Sequence, residues 1–397
     1  MSITTENYAE RSVNMHRQYH GKIEVRSKIQ VNTLDDLSLA YTPGVAEPCL
    51  RIQQNPNLAK ELTIKYNTVA VVTDGSAVLG LGNIGALGAI PVMEGKALLF
   101  KKFANIDAFP ICLQVSDPKN PNPDEIIKAV RMIAPVFGGI NLEDIAAPNC
   151  FVIEDALQDL GIPVFHDDQH GTAIVQLAAL INALKVTNKQ MQDIRVVICG
   201  AGAAGVAIAK MLSCQGYSGS ACTPVKDIIV CDSQGIIGPK RRGLNWVKQD
   251  LLNYTNLQRF DGDLRLALRY ADVFIGVSGP GLLQSEDIRT MAPNPIVFAL
   301  ANPTPEILPA DAFAGGAAVV GTGRSDFPNQ INNVLAFPAI FRGALDGGAT
   351  HITPAMKLAA AYALANCIPN PTADRILPST LDTTVAPIVA KAVQAAI

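Results

Sequence analysis

The chain has 397 residues, 49% of them hydrophobic and 17% charged, with a formal net charge of −3. That is enough apolar material for two sizeable cores. So small a net charge excludes the strong basic field that binds nucleic acid or an anionic membrane.

The first twenty residues are polar and include Glu6 and Glu10, without the apolar stretch of a secretory leader. No later run approaches the roughly 18 apolar residues of a membrane span. A soluble, cytoplasmic protein is expected. Strands are expected at 69–73 and 109–115. A proline-rich stretch follows at 117–124, where Asp124 can cap a helix over 125–134. Residues 151–160 read as a helix stopped by Gly161. An apolar helix is expected from Gly171 to Leu184.

Strands and helices then alternate. Strands fit 195–199, 227–231, 272–277, 295–300 and 317–320, and a helix fits 205–213. Such alternation implies a parallel sheet covered on both faces. The last fifty residues are alanine-rich and helical in character. Pro354 is placed to open one helix and Pro378 separates a second. Eight cysteines occur without a C-x-x-C pair, some inside apolar runs such as Val196-Val197-Ile198-Cys199. A free thiol packs there as a small hydrophobe, which suits a reducing compartment.

The pattern G-x-G-x-x-G occurs twice, at Gly80–Gly85 and Gly200–Gly205. Context separates the two. The second, Gly200-Ala201-Gly202-Ala203-Ala204-Gly205, follows its strand without a gap and opens a helix of small residues. The next strand ends in Asp232. Backbone N–H groups at such a helix N-terminus hold a dinucleotide diphosphate, and the acid accepts from a ribose hydroxyl. The first loop is separated from its strand by six residues, and Pro91 limits the helix expected after it. Packing is as good an account of it as binding. Asp232 favours NAD over NADP. The cluster Lys240-Arg241-Arg242 could counter that, but reads as an ordinary solvated loop.

His166-Asp167-Asp168-Gln169-His170 invites a zinc reading, because histidines at i and i+4 on a helix share one face. Residues 161–165 instead read as a turn and a strand, where i and i+4 do not face together. The aspartates are the more promising groups. With Glu143 and Asp144 upstream they would offer hard oxygen ligands suited to Mg²⁺ or Mn²⁺. Spacing alone leaves that site and a plain surface helix start equally open.

Several motifs together resemble the malic enzymes, in their smaller bacterial form, over nearly the whole chain. They are Tyr41-Thr42-Pro43-Gly44-Val45-Ala46, Val72-Thr73-Asp74-Gly75 and Glu94-Gly95-Lys96-Ala97-Leu98-Leu99-Phe100. They continue with Glu143-Asp144-Ile145, the stretch from His166 to Ala173, Ala301-Asn302-Pro303-Thr304-Pro305-Glu306, and Gln330-Ile331-Asn332-Asn333-Val334. The resemblance implies an α/β fold with three parts. These are an N-terminal catalytic domain (1–162), a Rossmann-type NAD-binding domain with a parallel sheet (163–345), and C-terminal helices (346–397) packing back on the first.

It also implies conversion of malate to pyruvate and CO₂ with reduction of NAD or NADP, and a divalent metal, Mn²⁺ or Mg²⁺. Glu143, Asp144 and Asp168 would bind the metal, with Asp167 supporting them. Tyr41 and Lys96 would form the acid–base pair, Lys96 also touching substrate, provided its pKa is lowered toward neutrality. Asn302 and Asn333 would hydrogen-bond the substrate. Larger family members carry an arginine near Asp74-Gly75, and here that place reads Ser76-Ala77-Val78. The amides of the first glycine loop, or a second subunit, are the expected replacements. A homodimer is expected, its N-terminal segment reaching across. Two other readings stay open: a metal-dependent oxaloacetate decarboxylase without net redox, and a non-catalytic dinucleotide sensor. The intact second glycine loop speaks against the first, and the acids with Lys96 speak against the second.

Overall fold

The computed structural model describes residues 5–397, apart from Leu79 and residues 218–221. Two parallel sheets organise it. The first has the order β2-β1-β3-β4, from β1 (Thr68–Thr73), β2 (Asp107–Cys112), β3 (Gly139–Leu142) and β4 (Val164–His166). All its pairings are parallel. β4 pairs with β3, so this sheet runs past the boundary expected after residue 162.

The second sheet has the order β10-β9-β8-β5-β6-β7. It comprises β5 (Arg195–Cys199), β6 (Asp227–Asp232), β7 (Gly235–Ile236), β8 (Val273–Gly276), β9 (Ile296–Ala299) and β10 (Val319–Thr322). Only β7 is antiparallel. Residues such as Val196, Val197, Ile198, Val273, Phe274 and Ile275 are fully buried, as strands covered on both faces require. The chain leaves β5 for β6 on one side and later returns to β8 on the other. The crevice beyond the carboxyl ends of β5 and β8 is therefore the switch point where such sheets bind ligands.

Three local readings are corrected. The helix after the first glycine loop is long, Gly85–Ala104, and carries Pro91 inside it. Proline frees the carbonyl of Leu87, one turn back, but Leu87 is 80% exposed and water can serve it. The helix Pro123–Ile133 is capped by the Asn122 side chain, which accepts from Asp124 N–H, so Asp124 lies inside the first turn. The helix expected over 151–160 is Asn149–Ala156 followed by a tighter turn, Gln158–Leu160, ended by Gly161.

The helices Phe337–Asp346, Pro354–Asn366 and Val385–Gln394 pack together, and one buried core joins them to both sheets. Asn182, buried on the helix Thr172–Thr187, donates to the carbonyls of Ala365 and Ile376 at 2.8 Å each. Arg342 reaches Asn67 at the first sheet at 2.6 Å. Cys214 and Cys222 form a disulfide, against the expectation of reduced thiols. The other six cysteines are free, with Cys199 and Cys231 buried in strands. No helix among the described residues is long and apolar enough to cross a membrane.

Candidate active site

Parallel register builds the acidic centre. Leu142 on β3 lies beside His166 on β4. The residues that follow each strand, Glu143-Asp144 and Asp167-Asp168, therefore leave the sheet edge side by side. Asp144 takes a left-handed conformation, φ 52°, and its N–H donates to Asp168 Oδ2 at 2.7 Å. One carboxylate oxygen from each of Glu143, Asp144 and Asp168 lies within 4.8 Å of the others. Glu143 and Asp144 are buried, and Asp144 Oδ2 has no hydrogen-bond partner.

Lys96 enters from the helix Gly85–Ala104. It is only 8% exposed, so it is no solvated surface lysine. Its Nζ lies 2.5 Å from Asp167 Oδ2 and 2.9 Å from Glu143 Oε1, and 4.2 Å from the centre of the Phe337 ring. Asn333 donates to the same Asp167 oxygen at 2.6 Å, and Asn141 donates to Glu143 Oε2 at 2.8 Å. Asp167 can sit here only because residue 171 is glycine. A Cβ at Gly171 would come within 1.8 Å of Asp167 Oδ1.

Four carboxylates thus face one ammonium. Burial, reinforced by their mutual repulsion, pushes Glu143 up to about 7, Asp144 to about 9, Asp167 to about 7 and Asp168 to about 6. Burial by itself would lower Lys96. The carboxylates of Asp167, Glu143 and Asp168 outweigh it and hold the amine well above its usual value. The lowered lysine expected from sequence is therefore not a property of these residues alone. Tyr41 is not beside Lys96 either: it is 67% exposed, and its hydroxyl has no hydrogen bond among the described residues.

The second glycine loop lies at the switch point. Gly200 N–H donates to Cys231 O at 2.8 Å, tying the turn to β6. Gly202 starts the helix Ala203–Leu212, which has no side-chain cap. Its first N–H groups are left for a ligand. A Cβ at Gly205 would fall 1.8 Å from Gly200 O, so only glycine allows this approach. In the first loop, Leu81 and Gly82 N–H bond to Val78 O, and Ile84 and Gly85 N–H to Gly75 O. Those amides are consumed internally and are not free for a substrate carboxylate.

Asp232 ends β6. Both its oxygens lie 3.0 Å from Arg241 Nη2, and Oδ2 lies 2.8 Å from Lys248 Nζ. Burial would raise it, but the bonds from Arg241 and Lys248 bring it down to about 2. Arg241 is accordingly no solvated loop residue, and sequence reasoning missed Lys248. It stands sixteen residues after Asp232, with no motif to mark it. Asn302 follows β9 and is exposed, its amide reaching only Leu300 O at 3.4 Å.

The tempting histidines do not converge. His166 ends β4, fully buried, its ring nitrogens without hydrogen bonds and Nδ1 3.8 Å from Asp168 Oδ2. Burial lowers it to about 4. The His170 ring turns to Glu154, with Nε2 3.0 Å from Glu154 Oε2.

The malic enzyme N-terminal domain family model matches residues 20–158, and the malic enzyme NAD-binding domain model matches 169–397. A bifunctional malic/malolactic enzyme of Bacillus subtilis is 55% identical over 97% of this chain and 92% of its own length. An NAD-dependent malic enzyme of Geobacillus stearothermophilus is 54% identical over 91% of this chain and 73% of its own. The crystal structure of an NAD-dependent malic enzyme from Thermotoga maritima superposes with a TM-score of 0.90 at 47% identity, covering 96% of this chain and 98% of that one. Two family models in succession, relatives matched over most of their length and a shared three-dimensional structure agree with the acidic centre and the glycine turn: this chain belongs to the malic enzyme family.

Proposed function

We propose that the chain carries out oxidative decarboxylation of malate to pyruvate and CO₂, with NAD as hydride acceptor and Mn²⁺ or Mg²⁺ at Glu143, Asp144 and Asp168. The observation that carries this is the oxygen cluster of those three acids with Lys96 against it. The donor set fits a hard divalent cation. It offers three carboxylates close together, one with an orphaned oxygen, and burial with their mutual repulsion pushes all three toward protonation, a cost that a cation would offset. A bound dication there supplies Lewis acidity at the C2 oxygen of the substrate.

The protein's own groups divide the remaining work. Asn333, anchored on Asp167, and Asn302, beyond β9, face the substrate's carboxylate and hydroxyl oxygens in this reading. Lys96 manages the C2 hydroxyl proton. Its excess stabilisation comes from Glu143 and Asp168 as well as Asp167. A dication held by Glu143 and Asp168 would oppose their pull on the amine and bring it down toward its usual value, with Asp167, the strongest of the three, remaining as its counter-ion. The uncapped turn Gly200-Ala201-Gly202-Ala203-Ala204-Gly205 holds the dinucleotide diphosphate, with Asp232 toward the ribose. Arg241 and Lys248 offset the charge of Asp232, so NADP is accepted as well as NAD.

Tyr41 completes the site as the acid that protonates C3, and it comes from a second copy. Val25 is 89% exposed, Leu34 83%, Leu39 70% and Tyr41 67%, an apolar surface of the kind that subunits cover. A homodimer burying this segment against the neighbour's cleft accounts for both that surface and the separation of Tyr41 from Lys96. In this reading the protein works in the cytoplasm.

The test is a steady-state assay with malate, Mn²⁺ and either dinucleotide, following the reduced nicotinamide band and quantifying pyruvate. Oxaloacetate decarboxylation without malate oxidation would overturn it. The name of the Bacillus relative favours a second reading, release of lactate with the dinucleotide regenerated in place. Lactate without accumulation of reduced dinucleotide would identify it.

A further inference from the structure

The two histidines that mimic a zinc pair leave a question, because neither joins the acidic centre and yet they flank it in the chain, His166 buried and His170 half-buried. Both are held by the same group. Glu154, on the helix Asn149–Ala156, is 8% exposed. Its Oε1 accepts the backbone N–H of His166 at 3.0 Å, and its Oε2 meets His170 Nε2 at 3.0 Å. Asp167 and Asp168 stand between those two grips. A buried carboxylate is costly unless partnered. Burial would raise this one, yet His170, Lys357 and His166 outweigh it and keep it ionised, at about 2. His170 is steadied in turn by the ring of Phe165, 5.6 Å away.

We propose that Glu154 is a positioning residue that sets the Asp167-Asp168 pair by clasping the chain on both sides of it. It bonds neither to Lys96 nor to the carboxylates of Glu143, Asp144 and Asp168. It acts through the turn. The turn Asp167–Gly171 is a single π-type turn between β4 and the helix Thr172–Thr187. Held at one end only, it could rotate. Asp168 Oδ2 would then leave the N–H of Asp144, 2.7 Å away, and Asp167 Oδ2 would leave Lys96 and Asn333. Groups that orient metal ligands typically matter by roughly 10- to 100-fold in metal affinity.

The inference rests on the metal reading above, so the experiment separates the two. Mn²⁺ affinity is measured by isothermal titration calorimetry on the full-length protein, with thermal melting beside it. Asp168→Asn should abolish binding; parental affinity in that variant overturns the metal reading itself. Glu154→Ala should weaken Mn²⁺ by roughly tenfold or more. Glu154→Gln should stay near the parent, since an amide keeps an acceptor for His166 N–H and offers a donor to the imidazole. Glu154→Asp keeps the charge but is too short for both grips, and it carries the test if the alanine variant does not fold. Asn182→Ala removes a buried side chain remote from the acids and should lower the melting point with Mn²⁺ affinity unchanged. Parental affinity in both Glu154→Ala and Glu154→Asp, or an equal loss in Asn182→Ala, overturns the positioning role.

Discussion

Stripped of divalent metal, the protein should lose stability as pH rises from 6 to 9, and the loss should be reversed by adding the metal back. The unfolded chain releases the protons of Glu143, Asp144, Asp167 and Asp168 near pH 4. The folded centre holds them to about 7, 9, 7 and 6. These folded values lie above the unfolded ones, so the contribution is fully present at acid pH. It disappears as pH climbs through the folded values. Each pKa unit corresponds to about 1.4 kcal/mol and the unfolded acids are already ionised above pH 6, so over this range Glu143, held to about 7, accounts for about 1.4 kcal/mol and Asp144, held to about 9, for most of the rest. The acids share protons, and the total is smaller than four such contributions. A loss of about 3 kcal/mol lowers a melting midpoint by on the order of 6 °C in a domain of this size. The assay is scanning fluorimetry of chelated protein at pH 6 to 9, with and without Mg²⁺. Asp144→Asn should flatten the pH dependence and abolish the gain from Mg²⁺. A parent midpoint that stays level over this range, or one that falls equally in Asp144→Asn, would refute the charge argument.

Lys248→Ala should reduce kcat/KM for NADP by roughly tenfold while NAD falls less, because it removes charge that offsets Asp232 near a 2′-phosphate. Equal losses with both dinucleotides would remove Lys248 from cofactor selection. Gly205→Ala should raise the KM for NAD at least tenfold with malate and metal binding retained, since the new methyl would fall 1.8 Å from Gly200 O; fluorescence titration of reduced dinucleotide checks it. Tyr41→Phe and Lys96→Ala should each lower kcat by roughly 10²-fold or more, the usual scale for a lost acid or base. Unfolded and refolded together, they should recover activity if Tyr41 serves the neighbouring subunit, because the mixed dimer holds one unmutated site. Mixing without recovery would place both groups in one protomer.

Much of the fold and the glycine turn was legible along the chain, because their causes are local. Strand composition, the Gly200–Gly205 spacing and the helix behind it are set by conformational preference within a few residues, and β5, β6, β8 and β9 stand close to where periodicity placed them. The carboxylates were legible as types. Other features were not. Pro91 looked like a helix stop, and only the exposure of Leu87 shows why it is tolerated. Arg241 looked solvated until β6 and its following loop brought it against Asp232.

By itself, then, the sequence determined which chemistry is available: oxygen ligands, a lysine, a tyrosine and a dinucleotide turn. Only the tertiary structure decided what state those groups occupy. The parallel pairing of β3 with β4 sets Glu143-Asp144 beside Asp167-Asp168, segments more than twenty residues apart. Burial then makes each charge depend on all the others. That is why Lys96 is held protonated where sequence called for the reverse, why Glu154 became visible only through the two histidines it holds, and why Tyr41 stands apart from the lysine it was expected to join. Charge and distance in a low-dielectric interior are properties of the assembled neighbourhood, and no single stretch of chain carries them.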